Sequence, residues 1–360
     1  MSVTERENKA VTRWLFIVCG LIMFMVVLGG FVRLTRSGLS MVEWEPVQGI
    51  IPPLSEQQWI EEFAKYQETP EFKIVNKSMT LTGYKEIFFL EYIHRLLARF
   101  AGLVVVIPLF YFLFKGIIPW RKSGIYLVIA LLFAFQGFMG WYMVSSGLQD
   151  VPSVSPYRLT IHLVLALSLL AITLWMALNH RYGFPPKVEG EASSSPIVVS
   201  ALVAAVLVLQ ISYGGLVAGM KAGHVSNTWP LMFGRLIPSG LLTQLEPWWH
   251  NLITAPMTVH FIHRWLAFGV LLAAIFLYWV TRKRQYSSSV HKAVLWLMGL
   301  TVLQISLGIS VVWFGVPIIL ALSHQALALF LFVITLFINY RLVHEPMPYP
   351  GYLEPQLELA

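Results

Sequence analysis

The stretch Leu90–Phe114, "LEYIHRLLARFAGLVVVIPLFYFLF", decides the fold. From Phe100 onward it carries no charge, and it exceeds the about 20 apolar residues that a bilayer-crossing helix needs. Its head is different: Glu91, His94 and Arg95 stand together at the entry to the apolar run. Much later the chain reads "HFIHRWLAF" from His260, again placing Ile-His-Arg at the start of a long apolar block. An ionisable side chain inside a membrane helix is costly and marks function by default. The same costly arrangement occurs twice.

Seven further blocks are long enough to span. Together the eight run roughly over 14–35, 90–114, 123–145, 158–179, 196–219, 259–281, 290–312 and 316–340. The composition agrees, at 57% hydrophobic and 12% charged, about half the charge of a soluble domain. The expected fold class is an all-α polytopic membrane protein with eight transmembrane helices. The first block is too long for a removable signal and lacks a clear small-residue cleavage site, so it reads as a permanent span. Cys19 is the lone cysteine, which excludes an intramolecular disulfide, a thiolate zinc site and an iron–sulfur cluster.

Charge follows the connections. Residues 282–292 carry Arg282, Lys283, Arg284 and Lys292 without an acid, and 115–122 carry Lys115, Arg121 and Lys122 without one. The segment 36–88 has five basic residues against eight acidic ones. By the positive-inside rule both termini and the basic connections face the cytoplasm, in what reads as a bacterial inner membrane. The net charge of +7 is then topological, with no nucleic-acid partner implied.

The chain also repeats itself. "VVLGGFVRL" (26–34) resembles "ISYGGLVAG" (211–219), and "FQGFMG" (135–140) resembles "LQISLG" (303–308). Each of the latter precedes a helix with a histidine, "LTIHLVLAL" (159–167) and "ALSHQALAL" (321–329). His94 to Gln136 is 42 residues and His263 to Gln304 is 41. This order predicts two tandem four-helix bundles with a pseudo-twofold along the membrane normal. The expected division is an N-terminal half 1–180, a cytoplasmic linker 181–196, a C-terminal half 197–341 and a cytoplasmic tail 342–360. Between helices the long segments 36–88 and 220–258 hold Trp44, Trp59, Trp229, Trp248 and Trp249, which suit either a headgroup belt or a lid over a buried site.

His94, His162 and His263 are expected four or five residues inside their helices and His324 about eight, a spread in depth of about 6 Å. Two imidazoles at one level ligate the two faces of a haem iron, and a helix bundle supplies the apolar slot. Gly29, Gly30, Gly137 and Gly140, with Gly214, Gly215 and Gly308, would let a flat macrocycle approach the backbone. Arg95 and Arg264 are candidates for propionate contacts. The alternative for each histidine is a hydrogen bond between helices; for each arginine it is snorkelling to headgroups. Glu91 breaks the symmetry, since its repeat partner is His260. It is either an acid favoured by the macrodipole of a first helical turn or a carboxylate held at the macrocycle edge.

These residues resemble haem A synthase, in its mitochondrial and proteobacterial branch. The resemblance covers nearly the whole chain and rests on "GGFVRLTRSGLSMVEWEPVQGIIPPL" (29–54), "EFKIVNKSMTLTGYKEIFFLEYIHRLLAR" (71–99), the four histidines and the repeat. It implies oxidation of the C8 methyl of haem O to a formyl group, giving haem A for cytochrome oxidase, with the new oxygen from water. It implies haem b as cofactor on His263 and His324, the substrate haem on His94 and His162, and Glu91 as the catalytic residue. Implied partners are haem O synthase and cytochrome oxidase assembly factors within the bilayer, with a homo-oligomer left open. Some members carry a cysteine pair in the first outer loop; this chain has none there, so electrons must leave by another route. Two other classes fit less well. A dihaem electron-transfer cytochrome b often takes two ligands from one helix, whereas here each helix offers one. A transporter with a proton relay prefers broken helices.

Overall fold

The computed structural model describes residues 3–43, 48–183, 194–282 and 286–344. Eight helices are long and apolar enough to cross a membrane. They are α1 (Val3–Leu34), α4 (Leu81–Phe114), α5 (Gly124–Ser145), α6 (Pro156–Tyr182), α7 (Ser194–Gly219), α9 (Pro256–Thr281), α10 (Ser288–Trp313) and α11 (Ile318–His344). Three short helices lie in the long connections: α2 (Glu56–Gln67), α3 (Pro70–Ile74) and α8 (His250–Thr254). No strand occurs among the described residues. Large apolar side chains such as Ile107, Leu131, Leu272 and Trp296 point outward and are exposed, as lipid-facing positions require. This is a multi-pass membrane protein.

The spans close into two rings. Helices α1, α4, α5 and α6 are neighbours in that order, and α6 returns to α1. Helices α7, α9, α10 and α11 do the same, with α11 against α7. The rings meet through α6 on α7, α1 on α11 and α6 on α11. Glycines set these approaches. A methyl group at Gly30 would collide with Gln325 Oε1, and one at Gly215 would lie 2.9 Å from Thr160 Oγ1. Both glycines therefore serve the contact between rings, whereas Gly137 faces open space.

Burial is uneven along the bundle axis. One apolar cluster runs through both rings at the end away from the long connections, and includes Leu15, Val105, Leu170, Val203, Leu277, Val294 and Ile338. Pro108 inside α4 cannot donate to the carbonyl four residues back, and Trp14 Nε1 donates to that Val104 oxygen instead, at 2.8 Å. The four histidines lie outside this cluster, at the end that carries the long connections. Tight packing at one end leaves the other able to hold something flat.

Helix α4 differs from its expected span. It begins at Leu81, with Thr80 accepting from the Gly83 N–H as its cap, nine residues before the apolar block. Capping chemistry starts a helix before hydropathy registers it. His94 is consequently thirteen residues into α4, whereas His162, His263 and His324 fall six or seven residues after Pro156, Pro256 and Ile318. The expected depths of four to eight residues are corrected accordingly. Glu91 sits in the third turn of α4, so a first-turn macrodipole does not account for it.

The extra turns of α4 carry a small cluster with the first long connection. Ser55 and Gln58 form a reciprocal capping box on α2, and Trp59, Tyr66, Tyr84 and Phe88 pack together. The Tyr66 and Tyr84 rings stack at 5.0 Å, and Lys85 lies 5.1 Å from the Trp59 ring. Trp59 is thus a core residue of the segment between α1 and α4, while Trp248 and Trp249 are exposed. Trp44, Lys283, Arg284, most of the expected linker and the tail beyond His344 lie outside the described residues.

Glu71 on α3 is buried beneath this cluster, 3.5 Å from Tyr66 Oη. Burial, and then the charge of Glu91, push its carboxyl up to about 7. The folded chain therefore holds this proton more tightly than an unfolded carboxyl, near 4.3. The stabilisation is complete below about pH 4.3 and is lost as pH rises through about 7. Melting temperatures in detergent are expected to fall between pH 5 and 8. Glu71→Gln is expected to flatten that fall; an equal fall in the variant would refute it.

Candidate haem-holding site

In each ring the two histidine helices occupy opposite corners and the two glycine helices the others. Every imidazole rests against a glycine. A methyl group built at Gly29 would lie 3.3 Å from His94 Nε2, and one at Gly140 would lie 3.3 Å from His162 Cε1. In the second ring, one at Gly214 would lie 3.2 Å from His263 Cε1, and one at Gly308 would lie 3.0 Å from His324 Cε1. Only a residue without Cβ leaves those rings where they are. Gly308→Val is expected to displace His324 and diminish the low-spin absorption of purified protein. An unchanged spectrum would show the seat to be dispensable.

Glutamines fasten the backbone beside the rings. Gln136 Nε2 donates to the His162 carbonyl at 3.1 Å, Gln210 Nε2 to that of His263 at 3.0 Å, and Gln304 Nε2 to that of His324 at 2.9 Å. Gln210 Nε2 also lies 3.2 Å from His263 Nδ1. Both imidazoles of the second ring thus have a glutamine, and only one of the first ring does. Gln136 and Gln304 are legible as a repeated pair. Gln210 is not, because Met25 stands at the matching position of the first half.

The His263 and His324 ring centres are 6.3 Å apart and their planes cross at 77°. A metal–imidazole bond of about 2.0 Å on each side sets two ring centres roughly 6 Å apart across one ion. His94 and His162 are close enough to interact electrostatically. Buried Nδ1 atoms of His162 and His324, and Oε1 atoms of all three glutamines, have no hydrogen-bond partner. No group of three or more metal-binding side chains occurs among the described residues. Donors therefore come in facing pairs, which suits an ion whose equatorial ligands arrive with it. The residues fit a haem.

Glu91 is buried and accepts five hydrogen bonds. Oε2 accepts from the Ser40 N–H at 2.8 Å, the Ser40 Oγ at 2.7 Å and the Met41 N–H at 2.9 Å. Oε1 accepts from Arg95 Nε at 3.0 Å and Nη2 at 2.6 Å. A carboxylate has about four lone-pair sites, so this one is fully occupied by its own chain. Arg95 reaches on to the carbonyls of Met41 at 3.0 Å and Glu43 at 3.2 Å. Tyr84 Oη donates to the Ser40 carbonyl at 3.2 Å. The turn after α1 is thereby tied to α4.

The second ring repeats this geometry with an imidazole in the carboxylate's place. Arg264 Nε donates to His260 Nε2 at 3.1 Å, Nη1 to the Thr228 carbonyl and Nη2 to the Ser226 carbonyl, both at 2.8 Å. His260 therefore faces its own arginine and a connection. The structure directs the named donors of Arg95 and Arg264 toward loop carbonyls and the side chain one turn earlier. Ser40 and Met41 were missed as functional candidates, since a backbone N–H leaves no mark in sequence and a single loop serine hydroxyl does not stand out.

Two closed helix rings, each with a histidine pair at the end that carries the long connections, make up this polytopic membrane protein. Residues 12–336 match the family of cytochrome oxidase assembly proteins, COX15-CtaA. A protein of Nitrosospira multiformis named "Heme A synthase" is 43% identical over 93% of this chain and 94% of its own. Proteins of Brucella ovis and Brucella abortus with the same name are each 40% identical, over 91% of this chain and 90% of theirs. The chain belongs to the COX15-CtaA family.

Proposed function

We propose that this protein makes haem A from haem O by oxidising the C8 methyl group to a formyl group. The observation that carries the proposal is the pair of glycine-seated imidazole couples, one of which also has the charge-bearing Glu91 beside it. Similarity to proteins named for haem A synthesis supports it.

His263 and His324 hold the cofactor, haem b; His94 and His162 take the substrate. The glutamines support this assignment. A resident group favours two tethered ligands, as His263 and His324 have, whereas His94 lacks a glutamine and is freer to release a product. A haem b held by His263 and His324 would supply one-electron redox chemistry beside the substrate site. Converting methyl to formyl with oxygen from water removes four electrons and four protons from the substrate and water together. Positive charge develops at the reacting carbon as electrons leave. Glu91, fixed by the Ser40–Met41 turn and by Arg95, is a preorganised negative charge for that moment. Its oxygens are occupied, which favours an electrostatic role over proton abstraction.

Matching glycine seats and arginine clamps support a duplicated origin for the two rings, with halves 1–180 and 197–341. The net acidic segment 36–88 and the basic connections 115–122 and 282–292 support placement of the long connections outside a bacterial inner membrane, with cytoplasmic termini. Haem O synthase and oxidase assembly factors are the proposed partners. The test is expression in a host that makes haem O but no haem A, followed by extraction and chromatography of the haems. Haem A should appear. Accumulation of unmodified haem O beside well-folded, haem-loaded protein would refute the proposal.

A further inference from the structure

The segment 36–88 is net acidic, yet cations cluster where α1 and α7 end. Gly29, Arg33 and Arg36 follow one another at four- and three-residue steps, and Gly214, Ala218 and Lys221 match them in the second ring. Within α1 the four-residue step keeps Gly29 and Arg33 on one helix face. Arg33 therefore stands about 6 Å along the axis from the glycine that seats His94, while Arg36 and Lys221 lie just beyond the ends of α1 and α7.

Arg33 Nη2 donates to the Ala218 carbonyl, joining the two helix ends. Arg36 and Lys221 both adopt left-handed backbone, at φ 55° and 54°, a conformation in which a non-glycine residue is strained and which concentrates at functional positions. Both side chains are exposed. The ion pairs among the described residues involve Lys65, Lys73 and Arg95, and none of these three cations. Lys221 interacts electrostatically with Arg33, Arg36 and Glu71. The other arginines near the histidines are engaged: Arg158 donates to the Tyr142 carbonyl and Ser145 Oγ, and Arg95 and Arg264 clamp connections. Concentrated positive charge on the outer side runs against the usual bias of membrane proteins and favours an anionic ligand.

We propose that Arg33, Arg36 and Lys221 form a shared anion site that receives the carboxylate arms of the porphyrins held below. This rests on the haem reading above and adds to it the groups that recognise the periphery of the macrocycle. Arg33 has a second, structural task between α1 and α7, so the exposed pair is the informative target.

The test titrates haem-depleted, full-length protein in detergent with haem b and with its dimethyl ester, read by the low-spin Soret band. Wild type is expected to prefer the free acid by about 10-fold or more, as charge-assisted contacts imply. Arg36→Gln combined with Lys221→Gln should bring the two ligands to near-equal affinity, and Arg36→Lys should retain the preference. An undiminished preference in the double variant would overturn the anion site, as would equal loss of both ligands. Absence of any low-spin band in wild type with either ligand would overturn the haem reading and this site with it.

Discussion

Glu91→Gln is expected to cut haem A output by about 100-fold or more, because losing one preorganised electrostatic group typically costs 10²–10³ in rate. The amide keeps the carboxylate's shape and removes its charge. Its NH2 must also face donors, since Ser40 and Met41 lie on one oxygen and Arg95 on the other. Breaking a buried ion pair from one side destabilises by about 3–5 kcal/mol, so output must be normalised to protein that retains low-spin haem. Under that normalisation the cofactor spectrum should persist, because His263 and His324 lie on α9 and α11. Wild-type haem A output from the variant would remove Glu91 from the chemistry.

His263→Ala or His324→Ala is expected to abolish the low-spin cofactor spectrum. The second ring supplies both facing imidazoles, one from α9 and one from α11, 6.3 Å apart, and no group of three or more metal-binding side chains occurs among the described residues to replace either. The loss should exceed the ~10–100-fold typical of removing only a supporting partner of a metal ligand. His94→Ala should behave differently, preserving the cofactor spectrum while suppressing turnover. If His94→Ala removed that spectrum and His263→Ala did not, cofactor and substrate rings would be exchanged.

Much of the architecture was legible because hydropathy is a local property. Eight apolar blocks became eight spans, with ends displaced where caps and terminal prolines act, as at Thr80, Pro156 and Pro256. Histidine is rare enough inside such blocks that His94, His162, His263 and His324 stood out at once. The glycines were noticed too, but their tasks divide. Gly29, Gly140, Gly214 and Gly308 seat imidazoles, whereas Gly30 and Gly215 join the rings. Spacing could not make that division, because adjacent glycines differ by only about 100° around a helix.

Sequence by itself determined the number of spans, the four imidazoles and the carboxylate that breaks the likeness between Glu91 and His260. These follow from residue type and short periods along one chain. Tertiary structure decided what each polar group meets. It brought the turn at Ser40 and Met41 onto Glu91, turned Arg95 and Arg264 toward carbonyls, and placed Lys221 beside Arg33 and Arg36. Those partners are separated by dozens of residues or more, and backbone donors and acceptors are the same in every sequence. Only the closure of the helix rings selects which of them a buried charge will find.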